Sequence, residues 1–249
     1  MNVVDEPDAG NNGSLTLCAS DMPTDLFAQL NGSPDGGGSW SGPSSSPDGS
    51  FDPAFMLPGT YTYTLDAPDP CPDASSNVLV DISIPPDPGA DGSLTLCTTS
   101  DAVDLFTLLT GTPEASGTWT APGGEPHANL FNPAQDPAGA YTYTVTGEAP
   151  CPSASAVVTM GLSQPPDAGL DGSITLCPDA DAVDLFSLIG GSPDEGGNWT
   201  APGGAPHSGL MDPSSDPEGT YAYALSGVPP CGHDASVVIV EVSEPVTAA

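Results

Sequence analysis

The chain has 249 residues, with 33 Asp and Glu, no Lys or Arg, and a formal net charge of −33. Without cationic side chains it cannot neutralise phosphates, which argues against nucleic-acid binding, and it lacks any phosphate-loop lysine or arginine clamp. It can form no Lys or Arg salt bridge and no Lys–Asn isopeptide cross-link, and it offers trypsin no site.

Such a surface attracts metal cations and tolerates high salt. Acidic excess is also the halophilic pattern, but that pattern does not demand the loss of every arginine. A trypsin-resistant acidic chain suits a long-lived extracellular object. The 30 Gly and 31 Pro border on a disordered composition, yet regular aliphatic and aromatic alternation runs throughout. No apolar run reaches the length of a membrane span.

MNVVDEPDAG has neither the basic region nor the apolar core of a signal peptide, so an export signal is expected outside this segment. VVDEPDAG (3–10) aligns with IVEVSEP (239–245), the last strand and joint of a repeat. Residues 1–8 therefore read as the remainder of a preceding repeat in a longer array.

From there the chain writes one pattern three times. SLTLC (14–18), SLTLC (93–97) and SITLC (173–177) alternate as half-buried strands do. In SDAVDLFTLL (100–109) a single helical turn is expected, N-capped by Ser100 or Asp101 with Asp104 in its first turn. Trp40, Trp119 and Trp199 follow in short central strands between Gly-rich turns. YTYTL, YTYTV and YAYAL come next, with alternation sending both tyrosines of each to one face. SNVLVDISI (76–84), SAVVTMGL (155–162) and SVVIVEV (236–242) close the units.

Cysteines keep the same step: Cys18, Cys97 and Cys177 early in each unit, Cys71, Cys151 and Cys231 late. Six cysteines allow 15 pairings. A repeat that folds by itself points to 18–71, 97–151 and 177–231, each closing a loop worth roughly 4 kcal/mol by chain-entropy reckoning. Thiolate metal ligation lacks the close cysteine pairs it needs. Disulfides in turn imply an oxidising compartment.

Asp136-Pro-Ala-Gly139-Ala-Tyr141 and Asp216-Pro-Glu-Gly219-Thr-Tyr221 resemble the D-x-x-G-x-Y entry to the sixth strand of immunoglobulin-like sandwiches. There the tyrosine forms a corner, its hydroxyl returning to backbone. The resemblance gives Tyr61, Tyr141, Tyr221 and the three Trp structural core roles. In the first unit Leu57-Pro58 replaces the Asp-Pro. The late cysteine lies ten residues after the first Tyr, so the expected bridge ties the second strand to the loop before the last one. Over its whole length the chain also resembles the tandem repeats of giant surface adhesins of gliding Bacteroidetes, through the phrases DGS-x-TLC, DLF and GxYxY.

The joints ISIPPDPGADGS (82–93) and LSQPPDAGLDGS (162–173) are stiffened by paired prolines. Asp87 with Asp91, Asp167 with Asp171, and Asp8 at the first joint are candidate calcium ligands, since a hard cation would offset repulsion between acidic domains. Ordinary Asp-Gly turn chemistry explains them as well, and no cofactor is required. Asp179, Asp181 and Asp184, and Asp101 with Asp104, are more cheaply read as caps. His127, His207 and His233 read as solvated loop residues, and no nucleophile–base–acid set or G-x-S-x-G elbow is present. The sequons NGS (12–14, 31–33) and NWT (198–200) are short enough to recur by chance.

These readings give an all-β chain of three tandem immunoglobulin-like sandwiches, 1–86, 87–166 and 167–249, one disulfide in each. The expected arrangement is a stiff rod of roughly 30 Å per domain. The expected role is a non-enzymatic stalk or fibre of an extracellular adhesin, with neighbouring repeats or copies of itself as partners. Two other roles compete: a filament subunit joined end to end or by strand exchange, and an array binding a glycan or a surface. Exposed Trp119 and Trp199 would favour the last.

Overall fold

The alternating Ser-x-Thr segment that opens each repeat becomes an edge strand, and the segment that closes the repeat becomes its parallel neighbour. The computed structural model describes residues 6–69 and 71–243. The expected carry-over from a preceding repeat at 1–8, and the end of the third domain beyond 243, fall partly or wholly outside the described residues.

The first repeat contains β1 (Gly13–Cys18), β2 (Thr24–Asp25), β3 (Ser39–Ser41), β4 (Ser50–Phe51), β5 (Gly59–Leu65) and β6 (Ala74–Ser83). Its main sheet has the order β1-β6-β5-β3, and β2 pairs with β4 separately. β1 runs parallel to β6, while β5 lies antiparallel to both β6 and β3. In the middle repeat β7 (Gly92–Cys97) is parallel to β13 (Ala154–Ser163). There β8 (Val103–Asp104) pairs with β11 (Leu130–Phe131). β9 (Thr118–Thr120) pairs with β10 (Pro126–His127) and with β12 (Gly139–Val145). The third repeat has β14 (Gly172–Leu176), β15 (Val183–Asp184), β16 (Asn198–Thr200), β17 (Pro206–His207), β18 (Leu210–Met211), β19 (Gly219–Leu225) and β20 (Asp234–Val242). Its sheet order is β14-β20-β19-β16-β17, with β15 and β18 as a separate pair.

Alternation decides which side chains are buried. In β5 the pattern places Tyr61, Tyr63 and Leu65 inside and leaves the intervening threonines half-exposed. Tyr61 and Tyr63 join Leu26, Phe51, Val78 and Val80 in the first core, and Tyr221, Tyr223, Leu185, Met211, Val238 and Val240 build the third. Phe51 meets Tyr61 edge-on at 5.3 Å, and Phe131 meets Tyr141 at 5.4 Å, the geometry aromatic quadrupoles prefer. The Gly that begins β5 and β19 has φ near +139° and +135°, and a Cβ there would come within 2.9 Å of Pro43 or Pro202. Both conditions admit only glycine.

The expected helical turn forms in a different place. The Asp-Leu-Phe phrase folds into a short 3₁₀ turn, Leu105–Leu108 in the middle repeat and Leu185–Leu188 in the third. Its cap is Asp104 or Asp184, whose Oδ1 accepts from the N–H of Phe106 or Phe186 at 3.0 Å. Ser100 and Asp101 do not cap it, because Val103 and Asp104 are still in β8. The turn drops Leu26, Leu105 and Leu185 into full burial.

Backbone contacts group into two compact units. One comprises the residues up to Asp91 with Leu109–His127 and Thr142–Val157; the other has Gly92–Leu108, Ala128–Tyr141 and the residues from Val158. Each unit contains one outer repeat and one disulfide.

Candidate functional site: bridges across the joints

One disulfide inside each repeat was the expectation; the structure corrects it. Cys18 bonds Cys151, and Cys97 bonds Cys231, with Cα separations of 4.9 and 5.0 Å. Cys71 and Cys177 are free thiols. Each bridge therefore joins one repeat to the next.

Strand register explains the correction. Cys18 ends β1 opposite Ser83, the last residue of β6, whereas Cys71 precedes Ala74, where β6 begins. Ten strand residues separate those ends, about 30 Å at the usual rise. A disulfide cannot form when the Cα atoms are more than about 7 Å apart. The first strand is an edge strand running parallel to the last one, so its cysteine stands where the chain leaves the repeat. The late cysteine stands where the chain enters, and the bond forms across the joint.

Both halves sit in tight local turns. Cys18 donates its N–H to Asp21 Oδ2 at 2.8 Å, and Asp21 returns its own N–H to the Cys18 carbonyl at 2.9 Å. A hydroxyl reaches each early sulfur: Ser20 Oγ to Cys18 Sγ at 3.2 Å and Thr99 Oγ1 to Cys97 Sγ at 3.4 Å. The late cysteines donate N–H three residues back, to Glu148 and Val228, both at 2.9 Å. Their sulfurs lie 3.4 and 3.3 Å from the carbonyls of Ser83 and Ser163. Ser83 Oγ also donates to the Ala149 carbonyl at 3.2 Å. All four bonded cysteines are buried. The two serines escaped the sequence reading, although Ser83, Ser163 and Ser243 recur with the same period as the cysteines.

The joint carboxylates are occupied by backbone. Asp8, Asp87 and Asp167 each accept from the glycine N–H two residues on, at 2.8 Å. Their own N–H groups donate to Asp35, Glu114 and Asp194 at 2.9–3.0 Å. Asp91 and Asp171 accept from the N–H of Val157 and Val237 at 2.8 and 2.9 Å. In the first repeat the same acceptor is the neutral Asn12, 2.8 Å from Asn77 N. The role thus requires an oxygen and no charge. Among the described residues no three His, Cys, Asp or Glu side chains converge as metal ligands would.

Aromatic residues fill the cores. Tyr61, Tyr141 and Tyr221 are fully buried, and their hydroxyls donate to the carbonyls four residues back, Leu57, Pro137 and Pro217, at 2.7–2.9 Å. Burial first, then the Asp136 carboxylate, raises the Tyr141 phenol above its ordinary pKa; burial and Asp216 do the same for Tyr221. Trp119 and Trp199 are buried and Trp40 half-buried, each packed at a tilt of 41–42° against the second tyrosine of its repeat with ring centroids 5.0–5.2 Å apart. His127 and His207 lie in short strands opposite Trp119 and Trp199, not in solvated loops. His207 accepts from Gly209 N at Nδ1, and its ring packs edge-on against Tyr221. His233 is exposed in a loop.

No protein-family model and no curated protein matches the sequence. Among solved structures, the I-band fragment I67–I69 of titin shares 13% identity over 97% of this chain and all of that chain, with a TM-score of 0.50. Its E-to-A variant gives 12%, 96% and 97%, with 0.47, and extracellular domains 3–5 of Drosophila OTK give 13%, 96% and 96%, with 0.34. The titin likeness establishes the fold: an all-β chain of three consecutive immunoglobulin-like sandwiches.

Proposed function

We propose that the chain is a load-bearing segment of an extracellular stalk or fibre, built from three domains (1–86, 87–166, 167–249) locked to one another by disulfides. The interleaving of Cys18–Cys151 with Cys97–Cys231 carries this reading. A pull on the ends passes through both bonds, and the shortest covalent path from Cys18 to Cys231 crosses only the segment between Cys97 and Cys151. Fully extended, that segment spans roughly 190 Å, against roughly 750 Å for the reduced chain between the same ends. A disulfide within each repeat would instead leave every joint free to extend.

Burial of Trp119 and Trp199 supports a mechanical role over sugar binding, since little of either indole is exposed for stacking. Structural disulfides fit an oxidising, extracellular setting, and the repeat phrases favour the surface adhesins of gliding Bacteroidetes as the setting. A non-enzymatic role is part of the proposal. Single-molecule stretching tests it: the oxidised chain should stop extending at about a quarter of the reduced contour between the bridged ends. Equal contours with and without reductant would refute it.

A further inference from the structure

We infer that the recess beside Trp40 in the first repeat binds a cationic side chain, arginine or lysine, carried by another protein. None of its residues is a cysteine, so its role stands apart from the load path through the bridges.

The walls of the recess are aromatic. Phe27 meets Tyr63 edge-on at 5.3 Å, and Trp40 packs against the same ring at 5.2 Å. Tyr63 is the buried floor, its hydroxyl donating to the Asp35 carbonyl and accepting from Gly38 N, both at 2.8 Å. Phe27 and Trp40 are half-buried, so each keeps part of its ring open. With Asp25 and Asp48 they line an open recess of about 350 Å³, within the range of small-ligand pockets. A Cβ at Gly38 would stand 2.6 Å from the Tyr63 ring, and one at Gly49 2.7 Å from Trp40 Nε1, so both positions stay bare. Asp25 Oδ1 accepts from Phe27 N at 2.9 Å and Asp48 Oδ1 from Ser50 N at 3.1 Å. The second oxygen of each carboxylate has no partner among the described residues.

Charge chooses the occupant. Aromatic rings beside carboxylates attract an organic cation, whose charge meets the ring quadrupole while its N–H groups reach the acids. The 249 residues include no Lys or Arg, so neither this chain nor a second copy of it supplies one. The same construction recurs in the third repeat. There Phe186 and Trp199 pack on Tyr223 at 5.3 and 5.1 Å, beside Asp184, in a recess of about 320 Å³. Ser208 replaces Asp48, but Glu195 stands where the first repeat has Gly36, so the acid moves and the pair of carboxylates stays. Trp199 is buried, yet its indole N–H has no acceptor among the described residues. No fully enclosed side-chain nitrogen or oxygen among them lacks a partner, so this N–H opens to solvent. The Trp40 indole N–H is likewise unbonded among the described residues, a donor for the carbonyl of a bound peptide.

The first repeat is the more accessible of the two. In the third, His207 of β17 pairs opposite Trp199, whereas the loop from Trp40 to Gly49 is one residue shorter and β3 ends its sheet. That open edge gives an extended peptide a place to lie while its basic side chain enters the recess.

The test is an NMR titration of the oxidised 249-residue chain at fixed ionic strength, reading the three indole N–H signals, each assigned by its Trp→Phe variant. The probes are a glycine-flanked arginine peptide, its lysine and citrulline counterparts, and tetramethylammonium. The arginine or lysine peptide should move the Trp40 signal saturably and leave that of Trp119 in place. D25N/D48N, in which each amide oxygen can keep its backbone hydrogen bond, should weaken binding about five-fold. D179N/D181N, the same change of charge at exposed residues of the third repeat, should leave it unchanged. Four results would overturn the inference: no saturable shift with either basic peptide, an equal shift with the citrulline peptide, Trp119 moving as far as Trp40, or D25N/D48N behaving no differently from D179N/D181N. Tetramethylammonium as effective as the peptides would place a small free cation in the recess and exclude the protein partner.

Discussion

Cys18 bonds Cys151 across 133 residues of sequence, while Cys71, much nearer in the chain, stays unbonded at the far end of the same repeat. The pairing follows from strand direction. A first strand parallel to the last carries its cysteine to the exit of the domain, and the loop before the last strand holds the other cysteine at the entrance. Covalent closure therefore falls on the joint. The aspartates beside the joints are engaged within their own repeats instead, Asp91 accepting from Val157 N and Asp171 from Val237 N.

Disulfide mapping under denaturing, thiol-blocked conditions, with proteases that cut at Asp or Glu, should recover peptides linking Cys18 to Cys151 and Cys97 to Cys231. Cys71 and Cys177 should carry the blocking group. By chain-entropy reckoning, a closed loop of this length stabilises by about 5 kcal/mol, a model-dependent figure. C18S/C151S should lower the denaturation midpoint clearly, whereas C71S should leave it within experimental scatter. Recovery of a Cys18–Cys71 peptide would return the bridge to the interior of the repeat.

Much of this fold was legible in the sequence because its signals are local. Alternation in GTYTYTL and SLTLC sets which side chains are buried, the 80-residue step sets the repeats, and the tyrosine four residues after Leu57 or Pro137 reaches back to that carbonyl. The disulfide partners were not legible, because they depend on whether the first strand runs parallel or antiparallel to the last. Strand direction leaves no mark on the composition of either strand. Asp104 was misjudged for a related reason: a cap was sought before the whole Ser-Asp-Ala-Val-Asp stretch, but Val103 pairs with Phe131 and postpones the turn. The joint aspartates were ambiguous because a calcium ligand and a turn cap use the same carboxylate.

That ambiguity can be resolved at Asp91. Its Oδ1 accepts from Val157 N, the bond that neutral Asn12 makes in the first repeat. D91N should therefore leave thermal stability nearly unchanged, while D91A should cost about 1 kcal/mol by removing the acceptor. Melting temperature should rise equally with CaCl₂ and with NaCl at matched ionic strength, since screening of a −33 chain requires no site. A calcium-specific rise that D91N abolishes would make these carboxylates ligands instead.

Tryptophan burial makes a second thermodynamic prediction. Trp199 is 8% exposed and packed against Tyr223, so W199A should destabilise by about 3–5 kcal/mol through lost burial and the cavity left behind. Half-buried Trp40 should cost less on the same change. Acrylamide should quench the emission of Trp40 more strongly than that of the other two, and an indole at 199 quenched as readily as a free one would reopen the sugar-stacking role.

Deprotonation of Tyr141 and Tyr221 should weaken the fold at alkaline pH. Their phenols are held above the ordinary value of 10.0 by burial and, next, by Asp136 and Asp216. A phenol whose pKa is raised on folding binds its proton more tightly in the folded state than in the unfolded one. Its contribution is whole below the unfolded value near pH 10 and is lost as pH rises through the higher folded value. Unfolding free energy should therefore fall with pH above about 10. In the folded protein, the phenolate absorbance of these two residues should appear later than that of free tyrosine. Y221F removes one of these groups and should flatten the alkaline decline. It should also cost about 1 kcal/mol at neutral pH, because the Pro217 carbonyl loses its donor. A Y221F decline as steep as the wild type's would assign the alkaline limit to other groups.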